Sequence, residues 1–282
     1  MPAPVPPGFT RGPILFLGPT SQQQVGHYAE NQLLQRFIHE AGDYGARLAI
    51  VSSSASAAQQ SYQQLLAAME VDSVETVTVA TRSDAMTDTY TAQLGQATGI
   101  LLVAESALQL AGLIGGTPLA QTIRLANAQG KVVCGVGRSA SILCQHTIAF
   151  ENRQQFPRPF VHRHLIQFAP GLGIVNRLVL DVEQEADIDL HGGVARLLAA
   201  VAYNPFLVGV SIEADTGIAV YPDTTLEVFG MNNVLIVDGN TISHTDVHEQ
   251  DLPERNQHRP SVLLNSTLHV LSHGYTFNFD TR

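Results

Sequence analysis

Five short strand-like runs, four apolar and one alternating, constrain this chain more than any other feature. The apolar ones are PILFLG (residues 13–18), RLAIVS (47–52), GILLV (99–103) and KVVCGV (131–136), and VETVTV (74–79) alternates. Short apolar runs bounded by turn residues read as buried strands, and the alternating one as a further strand. Helical patterning falls between them. Residues 26–41 place Leu33, Leu34, Phe37, Ile38 and Ala41 on one face, and Gly42 stops them. Residues 57–69 and 119–128 supply two further helices. Strands alternating with helices need crossover connections, so the first half implies an α/β fold with a mostly parallel central sheet covered on both faces.

The second half changes character. Residues 195–202 continue as a helix, but 207–220 and 226–237 are β-rich runs punctuated by Gly and Asp. They are expected to extend the same sheet as added antiparallel strands. No linker separates the halves, so residues 13–282 are expected to form a single domain behind a flexible Pro-rich N-terminus at residues 1–12. Residues 249–260 (EQDLPERNQHRP from Glu249) read as an exposed loop.

Charge then narrows the function classes. Only 14% of the 282 residues are charged, against about 25% in ordinary domains, and 15 Lys and Arg face 25 Asp and Glu for a net −10. A nucleic-acid binder working through a basic face is excluded, because phosphate neutralisation needs clustered Lys and Arg. A hydrophobic content of 45% excludes general disorder. So thin a charge suggests covered surface and hence a homo-oligomer. Two cysteines, Cys134 and Cys144, make no disulfide framework. No run of about 18 apolar residues is present to span a membrane, and a reducing cytoplasm is the expected location.

The richest segment is KVVCGVGRSASI (residues 131–142). A buried strand runs through Gly135 and Gly137 into Ser139, with Ala140, Ile142 and Leu143 opening a helix. In this setting a serine can be exposed on a strained elbow, with helix N-terminal amides behind it for an oxyanion. The alternative is that Ser139 merely caps the helix. Other groups offer less. Cys144, His146, His162 and His164 carry no recognised zinc spacing, so no metal is assigned. His244 and His248 are four apart but follow a strand-like run. Gly115-Gly116 and Gly171-Leu172-Gly173 lack a phosphate-loop lysine or a dinucleotide fingerprint, so they read as turns and no cofactor is implied. Gln22–Gln24, after the first strand, stand where α/β proteins place ligand loops, or form a solvated loop.

Several segments together resemble the cyanophycinases, serine peptidases of the branch that includes aspartyl dipeptidase. They are LIGGTPLAQTI (113–123), APGLGIVNRLVLD (169–181), GVARLLAAVAYNPFLVGVSIEADTGIAV (193–220), VLIVDGNTISHTDV (234–247) and LHVLSHGYTF (268–277). The resemblance implies a three-layer α/β/α sandwich, generally dimeric. It also implies exopeptidase cleavage of cyanophycin, an aspartate polymer carrying arginine on each side chain, into β-Asp-Arg dipeptides.

Carried over residue by residue, the catalytic match breaks. The family elbow G-T-S-A-G-A is here Gly137-Arg138-Ser139-Ala140-Ser141-Ile142, which keeps the serine but sets a cation before it and a serine where glycine stood. The family segment G-G-D-Q corresponds to Ala104-Glu105-Ser106-Ala107, which puts Ala107 at the glutamine. The base in D-Q-H-F falls on Glu183 or Asp187, depending on the side from which residues are counted. The acid in D-E-D-T-A falls on Ala214. Of three arginines usual after the histidine, His191, Gly193 and Arg196 stand at the positions, and only Arg196 is retained.

A serine hydroxyl is a weak nucleophile until a base takes its proton, and a carboxylate with a pKa near about 4 is a poor acceptor. The resemblance therefore implies a cyanophycinase-like protein without hydrolytic activity, with a binding or regulatory role in cyanophycin metabolism. The alternative is an active serine hydrolase in which Ser139 works with a rebuilt base, His191 or a carboxylate. Arg196, Arg138 and His191 are the candidate substrate-binding residues, with Arg138 either blocking the pocket or recruiting an anionic ligand. Cyanophycin or β-Asp-Arg peptides are the expected ligands. A homodimer is the expected assembly, with a hetero-complex with an active homologue as its variant.

Overall fold

In the computed structural model, residues 4–20, 28–151, 161, 165–182, 190–248 and 260–282 are described. The five runs are strands: β1 (Ile14–Leu17), β2 (Arg47–Ser52), β3 (Ser73–Thr78), β4 (Gly99–Val103) and β5 (Val132–Val136). All pair in parallel, in the order β3-β2-β4-β5-β1. Parallel neighbours need long crossovers. These are made by α1 (Tyr28–Ala41), α2 (Ala57–Ala67), α3 (Asp88–Gln96) and the pair α4 (Ala107–Ile114) and α5 (Pro118–Ala128).

Successive strand residues point to opposite faces, and both faces are covered. Leu15, Leu48, Ile50 and Leu101 pack with Leu33, Leu34 and Phe37 of α1 and Leu66 of α2. Ile14, Phe16, Ala49, Val51, Ile100 and Leu102 pack with Leu94 of α3, Leu110 of α4 and Ile123 of α5. Burial on both sides is why these strands read as continuous apolar runs rather than as alternating ones. Thr117 caps α5 by accepting from the Ala120 amide, with Pro118 in the first turn. The Pro-rich segment is pinned at its end: Gly12 donates to the Asn127 carbonyl, and the Asn127 side chain returns a bond to the Gly12 carbonyl.

The remaining strands are β6 (His146–Glu151), β7 (Ile166–Pro170), β8 (Leu178–Val182), β9 (Val208–Ile212), β10 (Thr216–Val220), β11 (Thr225–Gly230), β12 (Val234–Asp238), β13 (His244–Thr245), β14 (Leu263–Leu264), β15 (Thr267–Leu271) and β16 (Thr276–Asn278). As expected, β10 and β11 extend the central sheet, antiparallel from β1 outward, and β16, outside the expected runs, continues it. Not all of the added strands do so. A separate four-stranded sheet runs β15-β12-β9-β8, in which β8 and β9 are parallel and joined by α6 (Leu190–Tyr203).

The cause is burial. Leu180, Val210 and Ile236 of this second sheet join the core under Phe16 and Ile218 of the first. Their opposite face receives Ala195, Ala199 and Ala200 of α6 against Val179, and Leu197 and Val201 against Val237. Strands apolar on both sides cannot all lie at the edge of one sheet with a face in water. Gly209 lets α6 lie close, since a Cβ there would sit 3.1 Å from the Leu197 side chain.

One ion pair ties β8 to α6 inside this layer. Arg196 Nε donates to Asp181 Oδ2 at 2.9 Å, and the side chains are only 7% and 11% exposed. Removing one member of such a pair leaves the other charged in the interior. Asp181→Ala is expected to lower the unfolding free energy by about 3–5 kcal/mol in urea titrations. A loss below about 1 kcal/mol would show that the pair does not hold this layer together.

Candidate active site

At the end of β5 the chain does not enter an α-helix. Residues Gly137–Leu143 form a seven-residue 3-10 segment folded back on the strand. Gly135 permits the fold-back, because a Cβ there would lie 2.5 Å from Ala140 Cα. The left-handed residue of the turn is Gly137, with φ +52°, and Ser139 is not among the residues of positive φ. The expected strained serine backed by an α-helical N-terminus is thus replaced by a left-handed glycine two residues earlier, which adopts that backbone without strain, and a tight, buried coil. Tight 3-10 geometry follows from the packing of Ala140, Ile142 and Leu143 into the central core.

Ser139 is fully buried. Its hydroxyl donates to the Leu102 carbonyl at 2.9 Å and the Val136 carbonyl at 2.6 Å, one proton shared between two acceptors. The β4–β5 ladder ends at the pair Leu102 and Gly135, where β5 turns away. The serine hydroxyl thus adds a side-chain donor to the Leu102 carbonyl and serves the Val136 carbonyl, which lies one residue past the last β4 pair. Ser141, at the family's glycine, is held in the same way. It donates to the Arg138 carbonyl at 2.9 Å and accepts from Thr147 Oγ1 at 2.8 Å. This second hydroxyl link was not foreseen, and its only signal was a serine in place of an elbow glycine.

The positions of the other candidates follow. Ala107 opens α4 behind Ser106, whose hydroxyl accepts from the Gln109 amide at 3.2 Å, so the G-G-D-Q segment has become a helix cap. Ala214 sits in the turn from β9 to β10, its carbonyl accepting from Asn232 Nδ2 at 2.8 Å. The next residue, Asp215, donates its amide to the Pro19 carbonyl at 2.8 Å, which ties this turn to the end of β1. Arg196 is engaged with Asp181. Glu183, Asp187, His162, His164 and Gln22–Gln24 lie outside the described residues, as does the side chain of His191 in α6. His146 packs its ring on Phe168, and His248 its ring on Tyr203. Among the described residues no group of three or more His, Cys, Asp or Glu converges as a metal site, and no helix is long and apolar enough to cross a membrane.

A cleft of about 160 Å³ opens beside the 3-10 segment. It is lined by Pro19 after β1, Val103, Ala104 and Glu105 at the end of β4, Val136, Gly137 and Arg138 after β5, Ala58 and Tyr62 of α2, and Val182. The position has a topological cause. β1 and β2 exit toward α1 and α2 on one face, β4 and β5 toward the other, and diverging exits leave a crevice at the carboxyl ends of the strands. Ser139 does not line it.

Comparison with known proteins places the chain. No family model matches it. A cyanophycinase from Synechococcus elongatus is 30% identical over 291 residues, covering 96% of this chain and 86% of that protein. The chain belongs to the cyanophycinase family. A cyanophycinase from Geminocystis herdmanii is 29% identical over 277 residues, covering 97% and 96% of the two chains. Among solved structures, a peptidase from an acI-B1 Actinobacterium superposes with a TM-score of 0.65 at 17% identity, covering 96% of this chain and 98% of that one. A peptidase E protein from Listeria monocytogenes EGD-e gives 0.53 at 10% identity, over 79% and 100%. These two establish the same fold.

Within this cyanophycinase-family fold the cysteines are no substitute nucleophiles. Burial pushes the Cys144 thiol up to about 12, and raises Cys134 well above its ordinary value. The thiolate is the reactive form, so both should be inert at neutral pH. With an aromatic disulfide reagent at pH 8, native protein is expected to release no chromophore within minutes, and two equivalents after guanidinium is added. Rapid reaction of either thiol in the native protein would contradict the burial.

Proposed function

We propose that this cyanophycinase-family protein binds cyanophycin or β-Asp-Arg peptides without hydrolysing them, and acts as a binding or regulatory partner in the metabolism of that polymer. The observation that carries this reading is the inward hydroxyl of Ser139, committed to the Leu102 and Val136 carbonyls and sealed from solvent. A nucleophile must present its oxygen to the scissile carbonyl and its proton to a base. Here the proton is directed at two peptide oxygens. Ala107 and Ala214 stand where the family motif has glutamine and acid, so neither can orient a base or hold the polymer. Loss of triad members costs about 10⁴–10⁶ in rate, with little further loss after the first.

The retained serine beside the cleft favours the second reading, an active hydrolase with a rebuilt base. In it, Ser139 would have to rotate out of its two hydrogen bonds on binding substrate. One experiment divides the readings: purified protein is incubated with cyanophycin and with short β-Asp-Arg peptides, and dipeptide release is followed by chromatography. No release is expected, and Ser139→Ala should bind the polymer as the parent does. Dipeptide release that vanishes in Ser139→Ala would sink the non-hydrolytic reading.

For assembly we propose a homodimer. Sparse charge supports it, as do Leu268 and Val270 on the outer strand β15, which are 53% and 62% exposed. Such apolar side chains on a sheet edge are normally covered. Light scattering at micromolar concentration is expected to give twice the 30.3 kDa chain mass. A monomer that dimerises only with an active homologue would point to the hetero-complex, and a monomer under both conditions would overturn both.

A further inference from the structure

The cleft is apolar along most of its wall, through Pro19, Val103, Val136 and Val182, yet carries two charges, Glu105 and Arg138. Both side chains are exposed, and among the described residues neither has a hydrogen-bond or ion-pair partner. Four other arginines are ion-paired. Arg36 meets Glu227, Arg177 meets Asp280, Arg196 meets Asp181 and Arg282 meets Asp238. In a chain with only 14% charged residues, two unpaired opposite charges on one small cleft call for a cause.

Sequence position supplies one. Glu105 stands where the family motif G-G-D-Q has its second glycine, and Arg138 where G-T-S-A-G-A has threonine. The same two segments lost their glutamine and their elbow glycine. The site has therefore lost groups at positions 107 and 141 and gained, beside them, an anion and a cation that face its cleft without pairing. Ala58, in the first turn of α2, brings the positive end of that helix to the wall, which further favours a carboxylate. The volume of about 160 Å³ is below the roughly 300–1,000 Å³ of pockets that engulf drug-sized ligands, and suits one amino acid or the end of a longer chain.

We propose that this cleft is a receptor for a small arginine-bearing zwitterion, with Arg138 taking its free carboxylate and Glu105 its guanidinium. This rests on the non-hydrolytic reading above and names the ligand class of the same site. Guanidinium and carboxylate suit each other through paired N–H···O bonds, so both contacts have the geometry for planar, two-point recognition. Free arginine and the β-Asp-Arg dipeptide share this chemistry.

Calorimetry on the full chain tests it with four probes: arginine, β-Asp-Arg, argininamide, which lacks the carboxylate, and citrulline, which lacks the cation. Unmodified protein is expected to bind arginine or the dipeptide about tenfold more tightly than argininamide or citrulline, as a charge-assisted contact would give. Arg138→Gln should abolish the preference over argininamide and keep that over citrulline, and Glu105→Gln should do the reverse. Comparison of the two arginine-bearing ligands identifies which source is preferred. Absence of binding by all four probes, unchanged selectivity in both variants, or a uniform loss for every probe would each overturn the proposal. Cleavage is read separately by chromatography of the same samples. Its appearance would strike the non-hydrolytic reading, whereas only the selectivity pattern bears on the two charges.

Discussion

Parallel pairing of β1, β5, β4, β2 and β3 leaves this molecule no open sheet face on which to work. β1, β5, β4 and β2 are closed in by helices on one side, and by helices or the second sheet on the other, while β3 is half-buried at the edge. The carboxyl ends of the strands border the cleft, where connections diverge. Chemistry in such a fold is therefore decided by how each strand end satisfies its last peptide groups. At β4 and β5, a side chain shares that task.

Ser139 illustrates a competition between two uses of one hydroxyl. Pointing outward, it would sit in the cleft and need a base. Pointing inward, it completes the hydrogen bonding of Leu102 and Val136 in a dry interior, where an unsatisfied carbonyl costs roughly 1–3 kcal/mol. With alanine at positions 107 and 214, little polar opposition remains to draw it out. Ser141 and Thr147 consolidate the inward arrangement, linking the 3-10 segment to β6. The cleft is left with wall charges at Glu105 and Arg138 and no exposed hydroxyl from the elbow.

Much of the central sheet was legible in the sequence, because strands buried on both faces announce themselves as unbroken apolar runs. Residues 47–52 and 99–103 match β2 and β4 end to end. Two helices were missed for opposite reasons. α3 buries only Leu94, so its polar sequence shows no stripe, while α4 (ALQLAGLI) is so uniformly apolar that no polar face marks its period. The second sheet was illegible because β9 and β12 have the same composition as β10 and β11. What separates them is which face of the central sheet lies underneath, a long-range fact. At the site, the substitutions at 107, 138 and 214 could be read from motif spacing. The rotamer of Ser139 could not, since it depends on a carbonyl 37 positions earlier in the chain.

That hydrogen bond also gives the site a direction in time. On the proposed non-hydrolytic reading, a histidine acquired near position 183 or 187 would find no exposed hydroxyl to act upon. Releasing the hydroxyl first would give up two buried hydrogen bonds, to the Leu102 and Val136 carbonyls, at the end of the sheet. Neither step brings a benefit until the other has occurred, so the inward serine works as a ratchet. On the same proposed reading, such a protein changes more readily by altering what its cleft recognises than by gaining the power to cut.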